Sequence, residues 1–140
     1  MNKIMLAVIL LVFCPFLRAQ HVLWSYGTGN MGVGDGELFG PHSAEENPLN
    51  PDEIIVSEQL GNDILLINRR TGSTRVLYGE RGMPGGGKRL NEADSAHFMI
   101  AGPYQGHVLI TEYEGEHRVM IIDRNDGKVL WSYDGLEKPL

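Results

Sequence analysis

Two histidines and two carboxylates stand at matched positions in this chain. His42 and Asp94 are separated by 52 residues, and so are Glu45 and His97. An imidazole beside a carboxylate can serve as a metal ligand with its outer shell, or as an oriented general base. The plainer role for all four is hydrogen bonding to loop backbone. Of the other histidines, His21 lies near the start, His107 opens an apolar run and His117 sits next to Glu114 and Glu116; all three read as solvated. The sequence contains no complete set of nucleophile, base and orienting group, and it assigns no metal and no cofactor.

The equal spacing of the two pairs reflects a longer self-similarity. Glu53-Ile54-Ile55-Val56-Ser57-Glu58 reads onto His107-Val108-Leu109-Ile110-Thr111-Glu112 with an offset of 54 residues. Thr71-Gly72 falls on Asp126-Gly127 and Tyr78 on Tyr133 at an offset of 55, while Trp24-Ser25-Tyr26-Gly27 falls on Val76-Leu77-Tyr78-Gly79 and Ser43-Ala44 on Ser95-Ala96 at 52. A period near 50 made of short strands marks a β-propeller blade or a similar array.

The elements needed to place the four residues follow from this pattern. Strands are expected near His42–Glu46, Glu53–Glu58, Asp63–Asn68 and Thr74–Tyr78 in a first unit. A second unit has them near Ser95–Ile100, His107–Glu112, Arg118–Asp123 and Lys128–Tyr133, and an outer strand precedes both at Val22–Tyr26. Asn62-Asp63, Arg70-Thr71-Gly72 and Asn125-Asp126-Gly127 supply hairpin turns, because Asn, Asp and Gly tolerate the positive φ such turns require. Ile54–Val56, Ile64–Ile67, Val108–Ile110 and Val119–Ile122 are continuous apolar runs, too short for a buried helix. Such runs predict middle strands buried on both faces.

Gly34–Ala44 followed by Ile55-Val56-Ser57-Glu58 resembles the NHL-type propeller repeat, as does Gly106–Glu112 with His117-Arg118-Val119 and Ile122-Asp123. Ile122–Trp131 resembles equally the repeat of quinoprotein-like (PQQ-like) propellers. The resemblance implies an all-β fold: an incomplete β-propeller of two four-stranded antiparallel blades, about 40–79 and about 93–134, plus one N-terminal outer strand. In such a fold His42, Glu45, Asp94 and His97 fall on the innermost strands and become channel-lining candidates. Trp24, Tyr26, Tyr78, Trp131 and Tyr133 recur on the outer strands, where aromatic residues pack blade against blade, with sugar stacking as the other use. Glu58 and Glu112, at matching strand ends, read as scaffold.

Two glycine-rich stretches look like nucleotide loops. Gly27-Thr28-Gly29-Asn30-Met31-Gly32 satisfies G-x-G-x-x-G, but Gly34, Gly36, Gly40 and Pro41 follow where that motif needs a helix. Gly82–Lys88 approaches a P-loop, but Arg89 stands where Ser or Thr must ligate magnesium. Gly32–Gly36 lies 52 residues before Pro84–Lys88, so one connecting loop repeated in both units accounts for the two.

Met1-Asn2-Lys3, the apolar run Ile4–Phe16 and Leu17-Arg18-Ala19 have the layout of a secretory signal peptide, residues 1–19, with residues 20–140 forming the partial propeller. The run is short for a membrane span, which needs roughly 20 apolar residues, so no stable span is expected after cleavage. Bulky Phe13 before Cys14 argues against a lipid anchor. Cleavage would remove the single cysteine and, with Lys3 and Arg18, deepen the formal charge of −6 by two. Acidic balance and scattered basic residues speak against nucleic acid, which needs a clustered basic face.

The sequence therefore suggests an exported (periplasmic or extracellular) propeller module, non-catalytic, binding a small-molecule ligand or a protein partner. The alternative is the N-terminal part of an exported propeller enzyme using the channel histidines, such as a quinoprotein dehydrogenase, an arylsulfotransferase-like transferase or an NHL-type lyase. Propellers close with four to eight blades, so two blades would need others, by self-association or from further C-terminal sequence. Export predicts a mature protein that begins at or near Gln20. Mass spectrometry of the secreted protein tests this, and an intact Met1–Ala19 segment in membranes would contradict it.

Overall fold

A computed structural model describes residues 22–85 and 89–134. Residues 1–21, which hold the expected signal peptide and His21, part of the Gly82–Lys88 loop and the last six residues lie outside the described residues. The described chain is all-β. Strands β1 (Pro41–Glu46), β2 (Glu53–Glu58), β3 (Asp63–Asn68) and β4 (Thr74–Gly79) form one four-stranded sheet, and β5 (Ala93–Phe98), β6 (Val108–Glu112), β7 (Val119–Ile122) and β8 (Val129–Tyr133) form a second. Each sheet is an antiparallel meander in chain order. No helix among the described residues is long and apolar enough to cross a membrane.

The turns work as the residue types dictate. Asn62 and His117, 55 residues apart, both adopt positive φ (58° and 48°) in the hairpins β2–β3 and β6–β7. Gly72 and Gly127 do the same in β3–β4 and β7–β8, at 72° and 70°.

The sheets stack so that unlike faces meet. Cross-strand partners share a face, so Ile55, Ser57, Ile64, Leu66 and Tyr78 form the front of the first sheet. Val108, Ile110, Met120 and Ile122, with Ala96 and Phe98, form the back of the second. One buried cluster joins Ile55, Ile64, Leu66 and Tyr78 to that back face. Strand β5 lies against β1 and β2, which places the first strands of both sheets side by side. A second cluster, Ile54, Val56, Leu65 and Ile67, lies on the back of the first sheet and is covered by Tyr26 and Leu38.

Two expectations need correction. Val22–Tyr26 is not a strand. A strand needs a neighbour to take its N–H and C=O groups, and no third sheet is present among the described residues to provide one. Tyr26 instead packs on the first sheet's back, stacked with Trp24 at a ring separation of 6.2 Å. Burial on both faces holds for β2 and β3 but fails on the front of the second sheet, where Leu109 and Val119 are half-buried and all of β8 is exposed.

This difference predicts unequal costs for matched substitutions. Ile55→Asp places a charge in a fully covered position and should destabilise by about 4 kcal/mol or more. Leu109→Asp, whose side chain faces partly to solvent, should cost roughly half of that or less. Urea denaturation of the two variants measures the contrast.

Candidate functional site

β1 and β5 carry all four candidate residues along one edge, and the structure joins them in two pairs. His42 Nδ1 lies 2.7 Å from the Asp94 carbonyl oxygen and 3.4 Å from Asp94 Oδ1. His97 Nδ1 lies 2.6 Å from Glu45 Oε2, while Glu45 Oε1 accepts the Phe98 backbone N–H at 3.0 Å. The pairs sit three residues apart along neighbouring strands, about 10 Å at the usual strand rise. They therefore make two adjacent positions and not one cluster. Among the described residues no three His, Cys, Asp or Glu side chains are grouped to hold a metal ion.

Local backbone explains the first pair. The ladder skips a residue between Pro41 and Ser43 in β1, and again between Ala93 and Ser95 in β5. His42 and Asp94 are thus the extra residues of two matched bulges, which re-aim a side chain away from the regular pleat. Gly40-Pro41 stands directly before the first bulge, whereas no glycine or proline adjoins the second at Ala93-Asp94-Ser95. Asp94 is held in place from several sides: its carbonyl also accepts from Ser57 Oγ at 3.0 Å, and its carboxylate accepts from Thr111 Oγ1 at 3.3 Å.

Hydroxyl pairs behind the rim repeat in the same way. Ser43 Oγ and Ser57 Oγ are 2.8 Å apart, and Ser95 Oγ and Thr111 Oγ1 are 2.7 Å apart. Ser43 Oγ also accepts the Ala96 N–H across the sheet boundary. These hydroxyls were not singled out from sequence, although Ser43/Ser95 and Ser57/Thr111 lay inside the repeat matches.

The arrangement fixes the chemistry each ring can offer. A carbonyl or carboxylate oxygen only accepts, so Nδ1 carries a proton in both histidines, and in the neutral ring Nε2 presents a lone pair. Both side chains are about half exposed, so each Nε2 is open to a ligand. A neutral imidazole oriented in this way can accept a hydrogen bond, bind a metal or take a proton. His107 is different: its Nδ1 is buried, with Asp123 Oδ2 at 3.9 Å, beyond a hydrogen bond. It belongs to the β6 entry, not to the rim.

Glu58 and Glu112 stand one strand in from this edge, opposite Pro41 and Ala93, and act as scaffold ties. Glu58 accepts the Phe39 N–H at 2.7 Å, and Glu112 accepts the Asn91 N–H at 2.7 Å, the same bond 52–54 residues on. Glu112 is neutralised by Arg118, with contacts of 2.8 and 3.2 Å. In the first sheet the position of Arg118 is taken by Asp63, which faces Glu58 across the ladder. Arg81 serves both: Nη2 is 3.0 Å from Glu58 Oε2, and Nε is 3.3 Å from Asp63 Oδ2, off the line of a hydrogen bond. Two buried carboxylates thus share one guanidinium. Burial, reinforced by Glu58 and opposed by Arg81, pushes the Asp63 carboxyl up to about 8.

Gly27–Gly32, the dinucleotide-like stretch, is an irregular loop closed by Thr28 N–H to Gly36 O and Gly32 N–H to Leu38 O. No family model matches the chain, and a search of curated proteins finds no relative.

The buried carboxylates generate a pH prediction. Folded Asp63 holds its proton to about pH 8, whereas the unfolded side chain releases it near 3.8. The contribution of Asp63 to stability is therefore greatest below the lower value and falls as pH rises through that window. Asp63→Asn keeps the shape without the charge and should flatten the fall. Thermal melts at pH 5 and pH 9 should differ for the wild type and nearly coincide for the variant.

Proposed function

We propose that the chain is an exported, non-catalytic β-propeller module that binds a ligand or protein partner at the β1/β5 edge. The observation that carries this reading is the front-to-back stacking of two meander sheets, which aligns their first strands and sets His42, Asp94, Glu45 and His97 along one rim. Blades arranged about an axis stack in this way, with first strands toward the centre. The NHL-type and PQQ-like resemblance supports the same arrangement.

Binding is favoured over catalysis because neither imidazole is hydrogen-bonded to a serine, threonine or lysine side chain among the described residues. A rim of two carboxylates and two Nε2 acceptors suits cationic or hydrogen-bond-donating groups. The alternative, part of an exported propeller enzyme, draws on one feature. His42 is held in a bulge with its tautomer fixed, as a general base would be.

Separate His42→Ala and His97→Ala variants distinguish these readings. Both side chains are half exposed, so each variant should melt within a few degrees of the wild type. Calorimetry with spermidine as a cationic probe should show binding weakened about tenfold by His97→Ala, which removes an Nε2 acceptor and one of the two hydrogen bonds that order Glu45. Equal spermidine affinity in all three proteins would count against the rim. Turnover of a sulfate-ester or alcohol substrate that disappears in His42→Ala would replace the binding module with the enzyme.

A further inference from the structure

The front of the second sheet is built like the front of the first, but among the described residues no sheet lies on it. Leu109, Thr111, Val119, Ile121 and Tyr133 share that face. They stand 54 or 55 residues after Ile55, Ser57, Ile64, Leu66 and Tyr78, which the second sheet buries. Tyr78 is 5% exposed in its interface; Tyr133 is 55% exposed and its neighbour Trp131 42%. The surface that the first front accepts is the back of a sheet. One such back, Ile54, Val56, Leu65 and Ile67, has no sheet upon it among the described residues, and Tyr26 and Leu38 pack against it.

The cover occupies the place of a preceding sheet's last strand. Trp24 Nε1 donates to the Arg69 carbonyl at 3.2 Å, while Arg75 of β4 donates to the Arg124 carbonyl, 55 residues after Arg69. Tyr26, Tyr78 and Tyr133 are successive members of the repeat: the first packs on the back of the first sheet, the second on the back of the second, and the third is exposed, with no further sheet among the described residues to meet it. A glycine records the missing neighbour. A Cβ on Gly127 would strike the Leu77 carbonyl of the adjoining sheet, whereas a Cβ on the equivalent Gly72 would meet open space. That space is where the equivalent of Leu77 in a docked sheet, Ser132, would run.

We infer that the front of the second sheet docks head to tail on the back of the first sheet of a second copy, with β8 displacing Val22–Tyr26. The inference deepens the blade reading above and rests on it. The contact is heterologous, so association continues into a ring or a filament and does not stop at a two-fold dimer. Val22 and Leu23, 80% and 96% exposed, add little to the cover that must leave.

Sedimentation velocity over a concentration series tests the docking. Wild-type protein should shift to larger species as concentration rises. Tyr133→Glu should raise the dissociation constant by about tenfold or more. Trp24→Ala, which loosens the competing cover, should lower it. Gly72→Asn is the sharpest probe: Asn tolerates positive φ and the site is open in the monomer, so melting should change by a few degrees at most while association is lost. A protein that stays monomeric at high concentration overturns the proposal. So does a dimer indifferent to Gly72→Asn and Trp24→Ala, which would indicate front-to-front pairing. Sedimentation reports on this face and spermidine binding on the rim, so either reading can fail without the other.

Discussion

The structure depends on one packing relationship, the front of one sheet against the back of the next. A four-stranded meander alone leaves two apolar faces in water and gains too little from burial to offset ordering its backbone. Each of Ile55, Ile64, Val108, Ile110 and Ile122 is fully buried at this interface, and removing such a side chain from water stabilises by roughly 1.5–3 kcal/mol. The same contact fixes the position of β1 beside β5. Without it, His42 would not meet Asp94 and Glu45 would not reach Phe98. The rim is thus a consequence of the core.

Much of this was legible in the chain. Short apolar runs between Asn, Asp and Gly turns placed all eight strands within a few residues, since turn chemistry and strand length are local properties. The equal spacing of His42/Asp94 and Glu45/His97 placed each pair in contact, because equivalent residues of stacked sheets are neighbours. Val22–Tyr26 shows where local reading ends. Its residues have the composition of a strand, but strand formation requires a partner ladder, and no single segment contains that information. The half-exposed Leu109 and Val119 make the same point: an apolar residue specifies a preference for burial and cannot specify that a neighbour is there.

Polar detail was less legible for a different reason. The bulges at His42 and Asp94 arise where the hydroxyl pair behind the strand captures the Ser43 and Ser95 N–H groups, a long-range effect that Pro41 adjoins in the first strand and no turn residue marks in the second. Asp63 reads as an ordinary hairpin residue beside Asn62, yet it is fully buried opposite Glu58. Its partner Arg81 arrives from the loop after β4, and only the folded chain brings the three together.

The repeat keeps some positions and varies others, and the variation separates the interior from the edge. Interior pairs are kept in kind: Ile55 with Leu109, Leu66 with Ile121, and a hydroxyl at both Ser57 and Thr111. The Glu58 and Glu112 ties are also kept, although the first sheet meets the charge with Arg81 and the second with Arg118. At the edge the types exchange, His42 becoming Asp94 and Glu45 becoming His97. A position that only had to pack would tolerate any residue of the right shape, and like residues would serve in both sheets. Alternating base and acid along β1 and β5 instead lets each imidazole find an oxygen acceptor on the neighbouring strand, which sets the proton on Nδ1 and turns both Nε2 atoms outward. The stacking that hides the apolar faces is also what orders this rim, so any change that loosens the sheets should disorder the two imidazoles first.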